Sequence, residues 1–471
     1  MTLWLRNVEV RGESVDVAIR RGRVAAIRPP GRAVPADAEL IVDGDGGALI
    51  PGLHDHHLHL LSFAAALTSL DCAGSPDLAS LGVALRAADQ GDDWVRGIGY
   101  DASVLGPLDR HVLDSLEPKR PVRIQHRSGA LWVLNTPALD RVAAALDESG
   151  DVERDAHGEP TGRLWRYDSR LAPVLPRRAP ALAAVGRRLR SFGITGVTDA
   201  TPDLDADALQ LLSNAAVTGV LPVRITSLAT GATGATGATE FPGIEVGPAK
   251  LLLHDHDLPD LDELTELIRQ HHQAKRPVAV HCVTAESLLL TLAALEAAGP
   301  LPGDRVEHAS VVPYGVEPEL ARFGVRVVTQ PGFLTTRGER YRTEVDPADL
   351  AALYPVARLL AAGIPVACSS DAPFGLLDPW QVMASATERL TEAGRVLGSD
   401  ERVNAAVALS GYLTPPSDPG GTPRRIEVGM IADLTLLRAP LAEVLRAPTC
   451  SSVRGTVGAD VSQPAAGWME S

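Results

Sequence analysis

Four histidines fall within the six positions 54–59, near the N-terminal end of the chain. Pro51-Gly52 interrupts the apolar run that precedes them, so a new element is expected to begin there. If this element is a strand, His57 and His59 project from one face, because side chains alternate along a strand. Two imidazoles at this spacing can hold one side of a first-row metal ion, whereas a polar loop is the alternative for the segment taken alone.

Further residues that can bind a metal lie in or at the end of later apolar runs of β character. These are Lys250 in the run 249–254, His281 in 278–282, His308 in 305–308 and Asp371 at the end of 364–371. Each has an ordinary structural explanation by itself, such as a hydrogen-bonded histidine at a strand end. Together with the histidines at 57 and 59, they predict one shared metal site.

The apolar runs alternate with amphipathic helical patterns, which is the order that a parallel α/β fold requires. Eight runs of β character are present, at 53–61, 194–199, 223–228, 249–254, 278–282, 305–308, 325–330 and 364–371. Helices are predicted between several of them, at 260–273, 284–298 and 349–362. This pattern predicts a (β/α)8 TIM barrel over residues 53–408, whose chemistry lies at the carboxyl ends of the strands.

The two ends of the chain both have short strand patterns, at 3–28 and 426–437. They predict a flanking β-sandwich domain built from residues 1–52 and 409–471. The interval between the first and second runs is too long for one helix crossover, so we expect an inserted subdomain at about 71–180 after barrel strand 1, where it would shape the substrate pocket. A Gly-Ala-Thr repeat at 229–239 predicts a flexible rim or an inert surface loop.

The composition is that of a globular protein, with 45% hydrophobic and 22% charged residues among 471 positions. A formal net charge of −15 argues against a nucleic-acid or anionic-membrane partner, since either needs a basic surface. The N-terminal segment lacks the apolar core of a signal peptide, and no stretch reaches the length of a membrane span. Four cysteines without CxxC spacing predict reduced thiols in a cytoplasmic protein.

The motifs at these positions resemble those of the amidohydrolase superfamily and, more narrowly, of amidohydrolase family 3, which includes N-substituted formamide deformylases and YtcJ-like proteins. The matching motifs are Pro51-Gly52-x-x-Asp55-x-His57-x-His59, Gly247-Pro248-x-Lys250, His281, Glu307-His308 and Ser370-Asp371. Family-like segments also occur in the insertion and near the C-terminus, so the resemblance covers nearly the whole chain. The chain departs from it at Ala130, where many members have histidine, and at 254–257, where many have Asp-Gly shortly after the lysine.

The resemblance implies a role for each candidate ligand. His57, His59 and Asp371 would bind one metal ion, and His281 and His308 would bind a second. Zinc is the first choice for nitrogen and oxygen ligands, as one or two ions, although the same set would tolerate Fe2+ or Mn2+.

The resemblance also implies that Lys250 bridges the two ions as an N-carboxylated lysine. A protonated lysine has no lone pair and cannot bind a metal, whereas its carbamate resembles a carboxylate. A cation at the barrel rim or a phosphate anchor is the alternative for Lys250.

The implied activity is hydrolysis of a non-peptide C–N bond of amide or formamide type in a small molecule, through a metal-activated water. Asp371 would accept the proton of that water as general base and return it to the leaving nitrogen as general acid. The alternatives are metal-dependent hydrolysis of a lactone, carbamate or phosphoester, a lyase on the same barrel, or a catalytically inactive barrel that acts as a binding protein. A homodimer is the default expectation for the oligomeric state.

Overall fold

The computed structural model describes residues 2–31, 38–88, 94–176, 178–230 and 241–458. The Gly-Ala-Thr repeat predicted as a rim or surface loop at 229–239 lies, from residue 231 onward, outside the described residues. The chain divides into two compact units, Met1–Leu60 with Val185–Ser471 as the larger and Leu61–Ala184 as the smaller.

The strands of the described residues are Thr2–Val10 (β1), Glu13–Arg20 (β2), Arg23–Arg28 (β3), Leu40–Asp43 (β4), Leu49–Pro51 (β5), Leu53–Leu58 (β6), Leu70–Asp71 (β7), Val95–Tyr100 (β8), Val122–His126 (β9), Leu131–Leu134 (β10), Val152–Arg154 (β11), Pro160–Trp165 (β12), Ile194–Asp199 (β13), Arg224–Ser227 (β14), Ile244–Val246 (β15), Ala249–Leu251 (β16), Val278–Cys282 (β17), Arg305–His308 (β18), Arg326–Thr329 (β19), Val366–Cys368 (β20), Leu434–Leu437 (β21) and Val453–Val457 (β22).

The α-helices of the same residues are Leu60–Ala66 (α1), Leu78–Ala87 (α2), Ala102–Leu105 (α3), Arg110–Leu116 (α4), Thr136–Val142 (α5), Asp168–Leu171 (α6), Leu182–Ser191 (α7), Ala206–Val217 (α8), Leu261–Gln273 (α9), Ala285–Ala298 (α10), Glu317–Phe323 (α11), Gly332–Glu344 (α12), Pro347–Leu350 (α13), Val356–Ala361 (α14), Pro379–Glu388 (α15), Ala405–Tyr412 (α16) and Leu441–Val444 (α17).

The larger unit contains two parallel sheets, with strand orders β15-β14-β13-β6 and β16-β17-β18-β19-β20. Backbone hydrogen bonds continue between the two sheets at both edges. At one edge the Lys250 N–H donates to the Leu228 carbonyl at 2.9 Å. At the other, the His59 N–H donates to the Ala372 carbonyl at 2.9 Å, and the Asp371 N–H donates to the His57 carbonyl at 2.8 Å. The second set of bonds places the segment that follows β20, the last of these parallel strands in chain order, next to the end of β6, the first of them.

The strands of the second sheet are apolar because helices cover them. Leu264 and Ile268 on α9 and Leu288 on α10 share one hydrophobic core with Val280 and Val306 on the strands. A strand that is buried on both faces has a nearly continuous apolar sequence. The strands of this sheet could therefore be predicted from the sequence. Thr284, the N-cap of α10, forms a capping box with Ser287: the side chain of each accepts a hydrogen bond from the backbone N–H of the other.

The prediction of one helix over 349–362 was wrong. The structure has two short helices there, α13 and α14, separated by a turn that ends at Pro355. Proline lacks an N–H group and disfavours helical backbone in the residue before it. Tyr354, the residue before Pro355, is not helical: it has a φ of +45°, and its N–H donates to the Ser310 carbonyl at 2.8 Å.

Segments from both ends of the chain contribute to one hydrophobic core. A sheet of order β3-β2-β1-β4 and a sheet of order β22-β21-β5 share this core through residues such as Leu5, Val17, Leu434 and Val457. The C-terminal strand β21 is shorter than the predicted segment 426–437 and begins at Leu434.

The smaller unit is built on a six-stranded mixed sheet of order β11-β12-β10-β9-β8-β7. Leu81 and Leu85 on α2 and Leu113 on α4 share a hydrophobic core with the strand residues Val95 and Val122. The predicted insertion at about 71–180 falls inside the bounds of this unit, and its assignment as a domain stays a prediction.

The four cysteines are free thiols in the structure, and three of them are buried. Among the helices in the described ranges, none is both long enough and apolar enough to cross a bilayer.

Candidate functional site

The first two candidate ligands lie at the carboxyl end of β6. The strand ends at Leu58, so His57 is the penultimate residue of the strand and His59 is the first residue after it. His57 is buried, whereas 17% of the His59 side chain is exposed. Gly52 allows β6 to approach its neighbour closely, because a Cβ there would lie 2.0 Å from Thr195 Oγ1. His57 therefore lies in, and His59 directly after, a strand that packs closely against β13.

Asp371 meets both histidines from the loop that follows β20. Its Oδ1 lies 3.3 Å from His59 Nε2 and 3.6 Å from His57 Nε2. The ligand atoms of these three residues all lie within 4.8 Å of one another, which is the spacing of groups that can hold one metal ion. Asp371 has a φ of +54°, in the left-handed region that few non-glycine residues adopt. Outliers of this kind cost about 1–3 kcal/mol and cluster at functional sites.

The ring of His57 is held by a buried ion pair. Its Nδ1 is in hydrogen-bond contact with Glu307, which also pairs with Arg305. Burial raises the pKa of Glu307, but Arg305 and Lys250 outweigh it and hold that pKa below its usual value. An ionised carboxylate can only accept hydrogen bonds, so the proton of the neutral ring lies on Nδ1 and the lone pair lies on Nε2.

The Nε2 atom of His57 is buried, and it has no hydrogen-bond partner in the part of the chain that the structure describes. Burial holds the pKa of His57 well below its usual value, so the ring is neutral. A lone pair and the carboxylate of Asp371 thus face each other across 3.6 Å, an arrangement that favours a cation between them. The residues present therefore fit a metal ion at this position.

His281 and His308 form a second pair beside the first. Their ring centroids lie 4.3 Å apart, and the ring of His308 lies 4.7 Å from that of His57. Burial lowers the pKa of His281 to about 3 and holds that of His308 well below its usual value, so both rings are neutral. His308 Nδ1 lies 2.8 Å from Gln330 Oε1, an acceptor, which leaves the lone pair of this ring on Nε2.

Lys250 lies on β16 and is buried, and its Nζ atom has no hydrogen-bond partner among the described residues. Burial lowers the pKa of Lys250 to about 8, although Glu307 and Asp371 act in the opposite direction. A larger share of this amine is therefore neutral near pH 8 than for an exposed lysine, and only the neutral amine has a lone pair.

The structure thus brings His57, His59 and Asp371 into one cluster, with the His281–His308 pair adjacent to it through the ring of His308. Sequence reasoning gave no role to the residues that orient these rings: Arg305, Glu307, Gln330 and Thr201, whose Oγ1 lies 3.0 Å from His59 Nδ1. The sequence did contain a signal for Gln330, because it is the last residue of the predicted seventh run, 325–330. The functional polar residues of a parallel α/β fold lie at the carboxyl ends of its strands.

The model of the amidohydrolase family matches residues 40–457 of the chain. The chain belongs to the amidohydrolase family. It is 28% identical to the N-substituted formamide deformylase of Arthrobacter pascens, over 92% of each chain. It is 26% identical to the putative amidohydrolase YtcJ of Bacillus subtilis (strain 168), over 73% of this chain and 74% of that protein.

The fold is similar to that of solved metal-dependent hydrolases. The structure of an uncharacterized metal-dependent hydrolase from Pyrococcus horikoshii OT3 superposes with a TM-score of 0.75 at 21% identity, over 93% of this chain and 97% of that one. Its counterpart from Pyrococcus furiosus gives a TM-score of 0.72 at 20% identity, over 93% and 99%. The resemblance inferred from the motifs is therefore confirmed at the level of the family, and the α/β fold is that of metal-dependent hydrolases.

Proposed function

We propose that the protein is a metal-dependent amidohydrolase that cleaves a non-peptide C–N bond of amide or formamide type in a small molecule. The observation that carries this proposal is the cluster of His57, His59 and Asp371, in which the buried Nε2 lone pair of His57 faces a carboxylate. The similarity to an N-substituted formamide deformylase over 92% of the chain supports the choice of bond.

His57, His59 and Asp371 would hold one divalent metal, and His281 and His308 would hold a second, with Lys250 between them as an N-carboxylated lysine. Zinc is preferred for this set of nitrogen and oxygen ligands, and Fe2+ or Mn2+ would also fit. A divalent ion bound there would supply Lewis-acid chemistry, lowering the pKa of a water molecule and polarising the substrate carbonyl.

The chain's own residues supply the proton transfers. The carboxylate of Asp371 accepts the proton of the attacking water and then donates it to the leaving nitrogen, which must be protonated because an amide anion is too basic to leave. Neutral His57 and His308 cannot compete for that proton through Nδ1, since Glu307 and Gln330 hold those positions. The neutral amine of Lys250 can attack carbon dioxide, releasing one proton and forming the N-carboxylate.

We extend the proposal to the architecture. The two parallel sheets are proposed to close into one (β/α)8 barrel over residues 53–408, which is supported by the backbone hydrogen bonds at both sheet edges. Residues 1–52 and 409–471 are proposed to form the flanking β-sandwich, which is supported by the shared core of the terminal sheets.

The experiment is metal analysis by mass spectrometry combined with product analysis on purified protein. N-substituted formamides and amides would be tested beside lactones, carbamates and phosphoesters, with release of amine, alcohol and acid measured separately. We expect amine release that is lost on chelation and in Asp371→Asn but retained in Asp262→Asn, a matched change on the exposed face of α9. If only the lactone, carbamate or phosphoester substrates are turned over, the proposed C–N bond is wrong and the cleaved bond takes its place. Protein that holds no metal and has no activity would favour a binding function.

A further inference from the structure

A cavity of about 270 Å3 lies in the larger unit, at the amino-terminal ends of β13 and β14. Thr195, the second residue of β13, and Arg224, the first residue of β14, both line it. His57 lies near the opposite, carboxyl end of β6, which is a parallel neighbour of β13. The cavity is therefore separate from the candidate metal site, and the function proposed for that site gives it no role.

Arginines bring more positive charge to this cavity than the neighbouring acid balances. Asp433, which also lines the cavity, has its Oδ2 at 2.5 Å from Arg224 Nη2 and at 2.8 Å from Arg424 Nη1. Arg190 on α7 lines the cavity too, and in the described part of the chain it pairs with no carboxylate. Its Nε donates to Thr456 Oγ1 at 2.7 Å, and its Nη2 donates to the Thr456 carbonyl at 3.1 Å. One carboxylate thus serves three guanidinium groups, which leaves two positive charges unbalanced.

Two buried donors at the cavity have no partner among the described residues. One is the Nε–H of Arg224, and the other is the hydroxyl of Thr195, a residue that is 4% exposed. A buried donor without an acceptor costs about 1–3 kcal/mol, and native proteins keep few of them. Burial also lowers the pKa of Arg190, because the charged guanidinium loses hydration that no carboxylate replaces. These observations indicate an acceptor that carries negative charge and is not part of the chain.

Much of the remaining wall is apolar. It is formed by Ala216 and Val217 at the end of α8, by residues 221–223 in the segment that leads to β14, and by Ile431. Val217 is 65% exposed and Ile431 is 42% exposed, so large apolar side chains reach solvent beside the cations. A concave surface that combines apolar side chains with a few convergent polar groups is typical of a site for a small organic ligand.

We propose that Arg190, Arg224 and Thr195 bind the phosphate group of a small phosphomonoester, whose organic part contacts the apolar wall. A phosphate dianion supplies the two negative charges that the arginines lack, and its three terminal oxygens can accept from two guanidinium groups and one hydroxyl. A carboxylate supplies one charge and two acceptor oxygens. The volume is below the 300–1,000 Å3 typical of sites for drug-sized ligands, so the organic part is short.

The test is isothermal titration calorimetry on the full-length protein with inorganic phosphate, phenyl phosphate, benzoate and phenol. We expect phenyl phosphate to bind more tightly than inorganic phosphate, because it adds apolar contact, and more tightly than benzoate, because it carries more charge. Arg190→Gln should weaken its binding by about tenfold or more, and Thr195→Val, which keeps the side-chain volume, by about fivefold or more. Arg187→Gln, the same change at an exposed position of α7, should leave binding unchanged.

Four results would overturn the proposal. The first is no binding of phenyl phosphate at millimolar concentration, and the second is binding of benzoate or phenol that is as tight. The third is equal binding by wild type and the variants, in protein shown to be folded by circular dichroism. If Arg190→Gln does not fold, Thr195→Val decides this comparison. The fourth is loss of binding after chelation, which would place the phosphate at the proposed metal centre instead of this cavity.

Discussion

Gln330→Leu is the sharpest test of how the proposed metal centre is organised. Gln330 is 1% exposed, and its two amide atoms contact different partners. Its Oε1 accepts the proton of His308 Nδ1 at 2.8 Å, and its Nε2 donates to Ser369 Oγ at 2.9 Å. Leucine has a similar volume but neither polar atom, so the variant removes both bonds with little change in packing.

Two free-energy effects follow from this loss. A buried donor left without its acceptor costs about 1–3 kcal/mol, which should appear as lower stability of the metal-free protein. Loss of the group that orients a ligating histidine lowers metal affinity by about 10–100-fold, or about 1.4–2.8 kcal/mol. The loss of stability is expected whether or not His308 binds a metal, because it follows from the buried hydrogen bonds alone. The loss of metal affinity is expected only if His308 is a metal ligand.

The assays separate these effects. Urea unfolding of metal-free protein measures stability, and competition with a chelator of known affinity measures metal binding. Gln330→Glu, which keeps an acceptor for His308, should recover most of the metal affinity, and Gln210→Leu on the exposed face of α8 controls for the change in polarity. A folded Gln330→Leu protein with wild-type metal affinity would refute the role of His308, whatever its stability.

Three further predictions concern single residues. Asp371→Asn should lower kcat by about 10²–10⁴-fold without changing the circular dichroism spectrum, and near-normal turnover would remove Asp371 from proton transfer. Lys250→Ala should lower the metal content measured by mass spectrometry toward one ion per chain, and unchanged content would contradict a bridging role. His272 faces two acceptors, the Gly299 carbonyl at 2.9 Å and Asp304 Oδ1 at 3.0 Å. Burial lowers its pKa, but Asp304 outweighs this and raises it above 6.5, so its stabilising contribution is complete below pH 6.5 and is lost as pH rises through the folded pKa. His272→Gln should therefore flatten the fall in urea-measured stability above that pH, and an unchanged pH profile would contradict the charged ring.

The sequence predicted the elements whose signal is local. The helical patterns over 260–273 and 284–298 predict α9 and α10 to within one residue, and Asp260 and Thr284, where those patterns begin, are N-caps that accept backbone hydrogen bonds in the structure. Strand β17 was found to the residue because it is apolar and buried. The single helix over 349–362 failed because the apolar pattern continues through Pro355, and the backbone effect of one proline outweighed it.

The ligand types of the site could be predicted, but their geometry could not. Histidines and carboxylates at strand ends are visible in the chain, whereas the left-handed φ of Asp371 and the hydrogen bond from its N–H to the His57 carbonyl are not. In the sequence Glu307 is visible only as part of a motif, and nothing local indicates that it contacts a histidine 250 positions earlier. Residues that orient ligands are chosen by tertiary contacts, and single-sequence patterns do not report these.

Three imidazoles of the candidate site, those of His57, His308 and His59, have Nδ1 atoms that contact three different kinds of group. His57 meets the carboxylate of Glu307, His308 meets the amide oxygen of Gln330, and His59 meets a hydroxyl that can donate or accept. A carboxylate raises the basicity of the opposite ring nitrogen most, because it stabilises positive charge on the ring. Of these three rings, His57 is therefore expected to be the strongest electron-pair donor to a metal, and the carboxylate of Glu307 is itself anchored by Arg305. In the proposed metal centre the buried ion pair would act on metal binding through the ring of His57, which would give a charged pair in the protein interior a role that stability alone does not require.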